Sequence, residues 1–187
     1  VGGNNVYDIS VSASDGTLTT TQAVAITVTN VNEAPTFTSG TTATVAENIS
    51  TSTAVYTAVA TDVDAGTTLT YSLSGTDAAL FNIDPSTGVV TFKASPNYES
   101  PADAGGNNVY DISVSASDGT NITTQAVAIT VTNVNEAPAF TSGATATVSE
   151  NVSTSTAVYT AVATDVDAGT TLTYSLSGAD AALFNID

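Results

Sequence analysis

The sequence has no cysteine, methionine, tryptophan or histidine, and its only basic residue, Lys93, stands against 18 acidic ones. Each absence closes a class of function. Without cysteine there is no disulfide framework, no thiolate metal site and no cysteine nucleophile. Without histidine there is no imidazole base or ligand, which removes most hydrolytic triads and most zinc sites. A formal net charge of −17 argues against a nucleic-acid partner, because phosphate binding needs Lys and Arg. An anionic membrane surface is disfavoured for the same reason. No apolar run is long enough to span a bilayer, so no direct membrane insertion is expected in this segment. The chain begins at Val1 with neither an initiator Met nor a signal peptide, and it reads as a piece of something longer.

What remains is 42% hydrophobic and periodic in Val, Ile, Leu and Tyr, which argues against disorder despite the charge. The stretch VTNVNEAP occurs at 28–35 and again at 131–138. Shifted by 103 residues, the sequence lies on itself without a gap: residues 1–84 align with 104–187 and differ only at positions 1, 18, 19, 36, 41, 46, 49 and 76. Such identity marks a tandem array in which each unit is one structural module. Residues 35–137 form one whole unit. Residues 1–34 correspond to the last third of a preceding unit, and 138–187 to the first half of a following one.

Within the whole unit the segments 54–61, 68–74, 79–83, 89–94, 108–117 and 122–133 are rich in β-branched and aromatic residues, with a further short strand expected at 43–47. Leu69, Tyr71 and Leu73 share one face, as do Val127, Ile129 and Val131. Ile112, Val114 and Ala116 do the same, joined by Val109 or, by a one-residue shift, Tyr110. This period of two predicts half-buried strands. DPSTG at 84–88 and DGT at 118–120 supply turns. No 3.6-residue periodicity is long enough for a helix. About seven short strands in about 100 residues predict an all-β fold, an antiparallel β-sandwich.

Acidic residues on a folded surface are ordinarily a solvated face. Here the strands carry Thr, Ser and Ala instead, and 11 of the 18 acids fall at strand ends and in loops: Glu33, Glu47, Asp62, Asp64, Glu99, Asp15, and the copies Glu136, Glu150, Asp165, Asp167 and Asp118. Asp84, before Pro85, reads as a turn residue only. Strand ends gather at the poles of a sandwich, and the exit pole of one unit abuts the next. Five or more carboxylates would then crowd one junction with no Lys or Arg to offset them. Such a cluster is tolerable only splayed in water or holding a cation. Carboxylate, Asn amide and backbone carbonyl oxygens select a hard cation, and a flexible multi-carboxylate site favours calcium over magnesium.

These residues resemble the cadherin repeat, in its bacterial cadherin-like form. Ala46-Glu47-Asn48 is similar to the family's xEN motif, and Ala60-Thr61-Asp62-Val63-Asp64 to ATDxD, with Tyr71 where an aromatic is expected. Phe81-Asn82-Ile83-Asp84 with Thr87-Gly88, and Ser115-Ala116-Ser117-Asp118, resemble F-x-I-D…TG and V-x-A-x-D. Asn97-Tyr98-Glu99 stands where animal cadherins have DRE, and Asn133-Val134-Asn135-Glu136-Ala137-Pro138 resembles the DxNDNxP linker, one residue shorter. The resemblance implies seven-stranded Greek-key, immunoglobulin-like repeats whose junctions bind calcium (Ca2+) and are stiffened by it. It implies a first junction of Asn30, Asn32, Glu33, Asp62, Asp64 and Asp118, and a second of Glu47, Glu99, Asn133, Asn135, Glu136, Asp165 and Asp167. Glu136 would ligate through its carboxylate, Asn133 through its side chain and Asn135 through its carbonyl, while Pro138 sets the angle of the next unit. The first linker Asp and the Asp of DRE are Asn here (Asn30, Asn133, Asn97), which lowers the charge per junction. The second junction, with its glutamate pair, is expected to be the better site.

A calcium-stiffened extracellular spacer of a large surface or secreted adhesin is the function this implies, with adjacent repeats of the same chain as first partners and other cell-surface proteins or glycans beyond them. The alternative is an extracellular polysaccharide-binding module, for which Tyr7, Tyr110 and Tyr98 are the aromatic candidates. A carboxylate pair such as Asp62 and Asp64 could mimic a glycosidase site. No pocket-forming insertion interrupts the unit, however, and the pair recurs in every copy, so no enzyme is expected. Asn48-Ile49-Ser50, Asn121-Ile122-Thr123 and Asn151-Val152-Ser153 fit the N-glycosylation pattern, which arises readily by chance in a Ser/Thr-rich chain.

Overall fold

The computed structural model describes residues 3–187, so the first two residues of the leading segment lie outside it. Thirteen strands follow in order: β1 (Val6–Ser14), β2 (Thr19–Thr27), β3 (Thr36–Phe37), β4 (Thr42–Ala46), β5 (Tyr56–Thr57), β6 (Ala60–Thr61), β7 (Thr70–Ser74), β8 (Phe81–Ile83), β9 (Val89–Phe92), β10 (Val109–Ser117), β11 (Ile122–Thr132), β12 (Ala139–Phe140) and β13 (Ala163–Thr164). The helical residues are two three-residue 3-10 turns, Ala78–Leu80 and Ala181–Leu183.

Strands β3 to β11 build a two-sheet sandwich. One sheet runs β4-β11-β10-β7; the other side is formed by β5-β9-β8 and the pair β3-β6. The alternation in the sequence decides what faces inward. On β10, Tyr110, Ile112, Val114 and Ala116 are buried, which resolves the register in favour of Tyr110 over Val109. Val127, Ile129 and Val131 of β11 bury beside them, and Tyr56, Phe81, Val90 and Phe92 close the core from the opposite sheet. Phe81 and Phe92 pack at 4.4 Å, and the Tyr110 ring meets both edge-on at 5.8 and 5.2 Å, so three aromatics tie the sheets together.

Nine segments reduce to seven strands because two of them are broken. The chain passes from one sheet to the other between β3 and β4. That crossing is pinned by Gln125, whose Nε2 donates to the Gly40 carbonyl at 2.9 Å and to the Tyr56 hydroxyl at 3.0 Å. The expected strand at 54–61 is interrupted at Ala58 and Val59, where the chain passes from pairing with β9 to pairing with β3: the Ala58 amide still extends the β5–β9 register by donating to the Gly88 carbonyl at 2.9 Å, and the Val59 carbonyl already accepts the Thr38 amide at 2.8 Å. The expected strand at 79–83 starts only at Phe81. Before it the chain turns, because the buried Asp77 carboxylate is committed to the amides of Ala104 and Asp111, both at 2.8 Å.

Asp84 acts as a turn residue: its Oδ1 accepts the amides of Ser86 at 2.8 Å and Thr87 at 3.0 Å, and these two donors hold its carboxyl below the ordinary range. Gly88 ends the turn at φ +70°, where a Cβ would lie 2.3 Å from the Ala58 carbonyl oxygen. Gly88→Ala is therefore expected to cost more than the roughly 1–3 kcal/mol of left-handed strain alone. Gly66→Ala measures that strain by itself, since Gly66 has φ +86° and nothing within 4 Å. Equal losses for the two variants in urea unfolding would contradict the steric account.

The flanking segments carry the same strand sequences in other surroundings. β1 pairs with β2 as β10 pairs with β11, in the matching register. Yet Tyr7 is 54% exposed where Tyr110 is 1% exposed. Strand sequence sets the alternation; the opposite sheet decides whether it becomes a core.

Candidate metal centre

The second junction begins where β4 ends. The Glu47 amide continues the parallel β4–β11 ladder by donating to the Thr132 carbonyl at 3.0 Å. This fixes a glutamate that is only 2% exposed. Its Oε1 accepts the Val134 amide at 2.8 Å and its Oε2 the Tyr98 amide at 2.9 Å. One buried carboxylate thus ties the linker after β11 to the loop that carries Glu99. That loop is held at two further points. Asn108 Nδ2 donates to the Tyr98 carbonyl at 2.9 Å, and Asn97 Oδ1 accepts the Ser100 amide at 2.6 Å.

Carboxylate oxygens of Glu47, Glu99 and Glu136 lie within 4.8 Å of one another. Glu99 Oε2 and Glu136 Oε2 are buried with no hydrogen-bond partner. Burial raises the Glu99 pKa, and the neighbouring charges of Glu47, Glu136 and Asp167 raise it further. Two orphaned anionic oxygens in an all-oxygen cluster fit a hard cation: an ion would neutralise the repulsion and supply the missing partners.

Asp167, which is 8% exposed, meets the linker beside this cluster. Its Oδ2 accepts the Glu136 amide at 2.9 Å and its Oδ1 the Asn133 side chain at 2.8 Å. Asp165 Oδ1 in turn accepts the Asp167 amide at 2.9 Å. Asn135 Nδ2 donates to the Glu136 carbonyl at 3.0 Å. Of the seven expected residues, Glu47, Glu99 and Glu136 form the cluster. Asp167 and Asn133 border it through hydrogen bonds, Asp165 is joined through Asp167, and Asn135 is engaged with its neighbour in the linker.

The first junction repeats the linker geometry. Asn30 Nδ2 donates to Asp64 Oδ1, the Glu33 amide to Asp64 Oδ2 at 2.9 Å, and the Asp64 amide to Asp62 Oδ1 at 2.8 Å. Asn32 Nδ2 reaches Asp118 Oδ2 at 2.8 Å, which joins the linker to the far end of the whole unit. Asp118 Oδ1 accepts the amides of Asn121 and Thr120, both at 2.6 Å, and these donors hold its carboxyl below the ordinary range. Asp62 Oδ2 is buried without a partner. Among the described residues no three-acid cluster forms here, whereas one does at the second junction. In both junctions an Asn stands where the family's linker has Asp, and its amide donates to the facing Asp instead of adding a charge.

Sequence reasoning assigned no role to Asn48 or Asn108, which both touch this site. Both adopt left-handed backbone, at φ 59° and 61°. Asn in that conformation at a strand end is itself a readable signal. Asn48 Nδ2 donates to Glu136 Oε1 at 2.6 Å and Asn121 Nδ2 to the Asn32 carbonyl at 3.2 Å. Two of the three glycosylation-pattern amide nitrogens are thereby engaged at junctions.

Residues 41–135 match the Cadherin domain family. The chain belongs to the cadherin family. The matched span includes Glu47, Glu99, Asn133 and Asn135 and ends one residue before Glu136. Over 98 residues the chain is 42% identical to mouse Protocadherin Fat 2 and 41% identical to the rat protein, covering 51% of this chain. It spans only about 2% of the length of these relatives. Among solved structures it is similar to human Protocadherin-24 EC1-2, with a TM-score of 0.54 and 27% identity over 74% of this chain and 62% of that one. It is also similar to Protocadherin Gamma B7 extracellular cadherin domains 1-4, with a TM-score of 0.59 and 28% identity over 88% of this chain and 42% of that one. These are extracellular adhesion-type repeats, and calcium binding is general to cadherins. No helix among the described residues is long and apolar enough to cross a membrane.

Proposed function

We propose that this chain is a calcium-rigidified spacer segment of a large surface or secreted adhesin. In this reading residues 35–137 are one whole repeat, 1–34 the end of the preceding one and 138–187 the start of the next. The observation that carries the calcium assignment is the Glu47, Glu99 and Glu136 cluster. It has two buried oxygens without partners, in a chain with a single basic residue. Asp165, Asp167, Asn133 and the Asn135 carbonyl would complete the second site. Asn30, Asn32, Glu33, Asp62, Asp64 and Asp118 would form a weaker one at the first junction.

Rigidity follows from position. An ion at the second junction would be shared by the body of one repeat, the linker and the next repeat. It would replace repulsion by cross-linking where the linker meets Asp167 through hydrogen bonds. Near-identical repeats suit length and stiffness better than varied recognition. A surface of net charge −17 suits an exposed stalk that must stay dispersed. Polysaccharide binding draws less support: Tyr110 lies in the core, and Tyr98 is the one aromatic candidate of the whole repeat at the surface. Small-angle scattering tests the spacer reading. The maximum dimension and flexibility of the chain are expected to change between calcium and chelator, with the longer, stiffer form in calcium. Superimposable curves would sink it.

A further inference from the structure

We infer that Asn48 is a positioning residue for the linker glutamate, capping one Glu136 oxygen so that the other is presented to the cation. The inference rests on the calcium reading above and adds a residue to it. Asn48 follows Glu47 directly, and its left-handed backbone turns the chain sharply after β4. Two bonds then reach in different directions. The Asn48 amide donates to the Pro96 carbonyl at 2.9 Å, anchoring the loop that carries Glu99. The side-chain Nδ2 donates to Glu136 Oε1 at 2.6 Å. The remaining oxygen, Glu136 Oε2, is the buried one with no partner.

An Asn nitrogen is a donor only, so it can occupy Oε1 without competing for the ion. It also offsets part of the repulsion that Glu136 meets from Glu47 and Glu99 while no cation is present. Without it, the Glu136 side chain, in the linker after β11, is free to rotate away from two like charges. Glu47 is held by two backbone amides, and the Glu99 loop by the amides described above. Among the three carboxylates of the cluster, Glu136 is the one whose carboxylate is held by a side chain. The left-handed turn belongs to the local sequence: Asn151, the copy of Asn48 in the next unit, takes φ 62° although among the described residues it has no side-chain hydrogen bond. Asn48 is therefore set in place before any contact with Glu136 is made.

Calcium titration calorimetry of the full chain, with Asn48→Gly, tests this. Glycine keeps the left-handed backbone without strain and removes only the amide. Asn151→Gly makes the same change away from the cluster. Partners that orient metal ligands typically contribute roughly 10–100-fold to affinity. Asn48→Gly is expected to weaken the tighter calcium step at least roughly 10-fold. Asn151→Gly should leave it unchanged, and in chelator Asn48→Gly is expected to unfold slightly below wild type and Asn151→Gly, because its bond to Glu136 is lost. In a Glu136→Gln background, Asn48→Gly should add little further loss, a coupling that a merely structural role would not produce. Wild-type binding with an unaltered Asn48→Gly affinity would overturn the role of Asn48 and leave the calcium site standing. No calcium binding by the wild type would overturn both.

Discussion

Replacing Tyr110 by Ala should remove about 3–5 kcal/mol of folding stability, the range for buried aromatics. The identical change at Tyr7 should cost no more than about 0.5 kcal/mol. The two tyrosines occupy the same place in the same nonapeptide, VYDISVSAS, and in the same hairpin register. Their local propensities are equal, so the difference isolates packing. Tyr110 sits edge-on against Phe81 and Phe92 and its hydroxyl accepts the Ala102 amide at 3.3 Å. Truncation there leaves a cavity between the sheets and a donor without its partner. A single domain is stable by only about 5–15 kcal/mol, so this loss would take a large share of it. Urea midpoints for both variants decide the matter. Similar losses at the two sites would mean that hairpin propensity, and not the three-aromatic core, dominates.

Glu136→Gln should act in opposite directions with and without calcium. The raised Glu99 pKa means that the folded chain holds that proton more tightly than the unfolded one. The contribution of Glu99 to the stability of the cation-free chain therefore falls as pH rises through the ordinary glutamate range toward the raised value. Glu136 is one of the charges responsible. Glutamine keeps an acceptor for Asn48 and removes that charge, so in chelator at pH 7 the variant should be more stable than wild type. In calcium the order should reverse. A direct ligand is lost, and affinity should fall by more than the roughly 10–100-fold that outer partners contribute. Urea unfolding in the two conditions gives both signs. Equal destabilisation in both would show that Glu136 is a structural residue of the linker and nothing more.

The sandwich was readable because period-two alternation, turn residues and a 103-residue repeat all pointed the same way. Breaks in strands were not. The break between β5 and β6 depends on the chain exchanging β9 for β3 as its partner, and the late start of β8 depends on Asp77 meeting β10. Neither contact leaves a local trace. The candidate site divides in the same manner. Acids at strand ends announced a junction cluster, and the structure brings Glu47, Glu99 and Glu136 together from three separate stretches. The direction of each amide could not be read, because it depends on which oxygen is already taken. Asn133 donates to Asp167, and Asn97 spends its carbonyl on Ser100. Asn48 was visible as a letter of a motif, but its grip on Glu136 spans 88 residues and appears only in three dimensions.

If Glu47, Glu99 and Glu136 of the second junction hold calcium, the ion must stabilise the folded chain. Thermal unfolding of the full chain in calcium, magnesium and chelator reads this. Binding to the folded state alone adds about 2.7 kcal/mol at 100-fold excess over Kd, which for a domain of about 100 residues is roughly 10 °C or more. The account predicts such a rise with calcium, a much smaller one with magnesium, and loss of the rise in Glu136→Gln. Unfolding curves that coincide in all three solutions would contradict it and leave the acids as a solubilising surface.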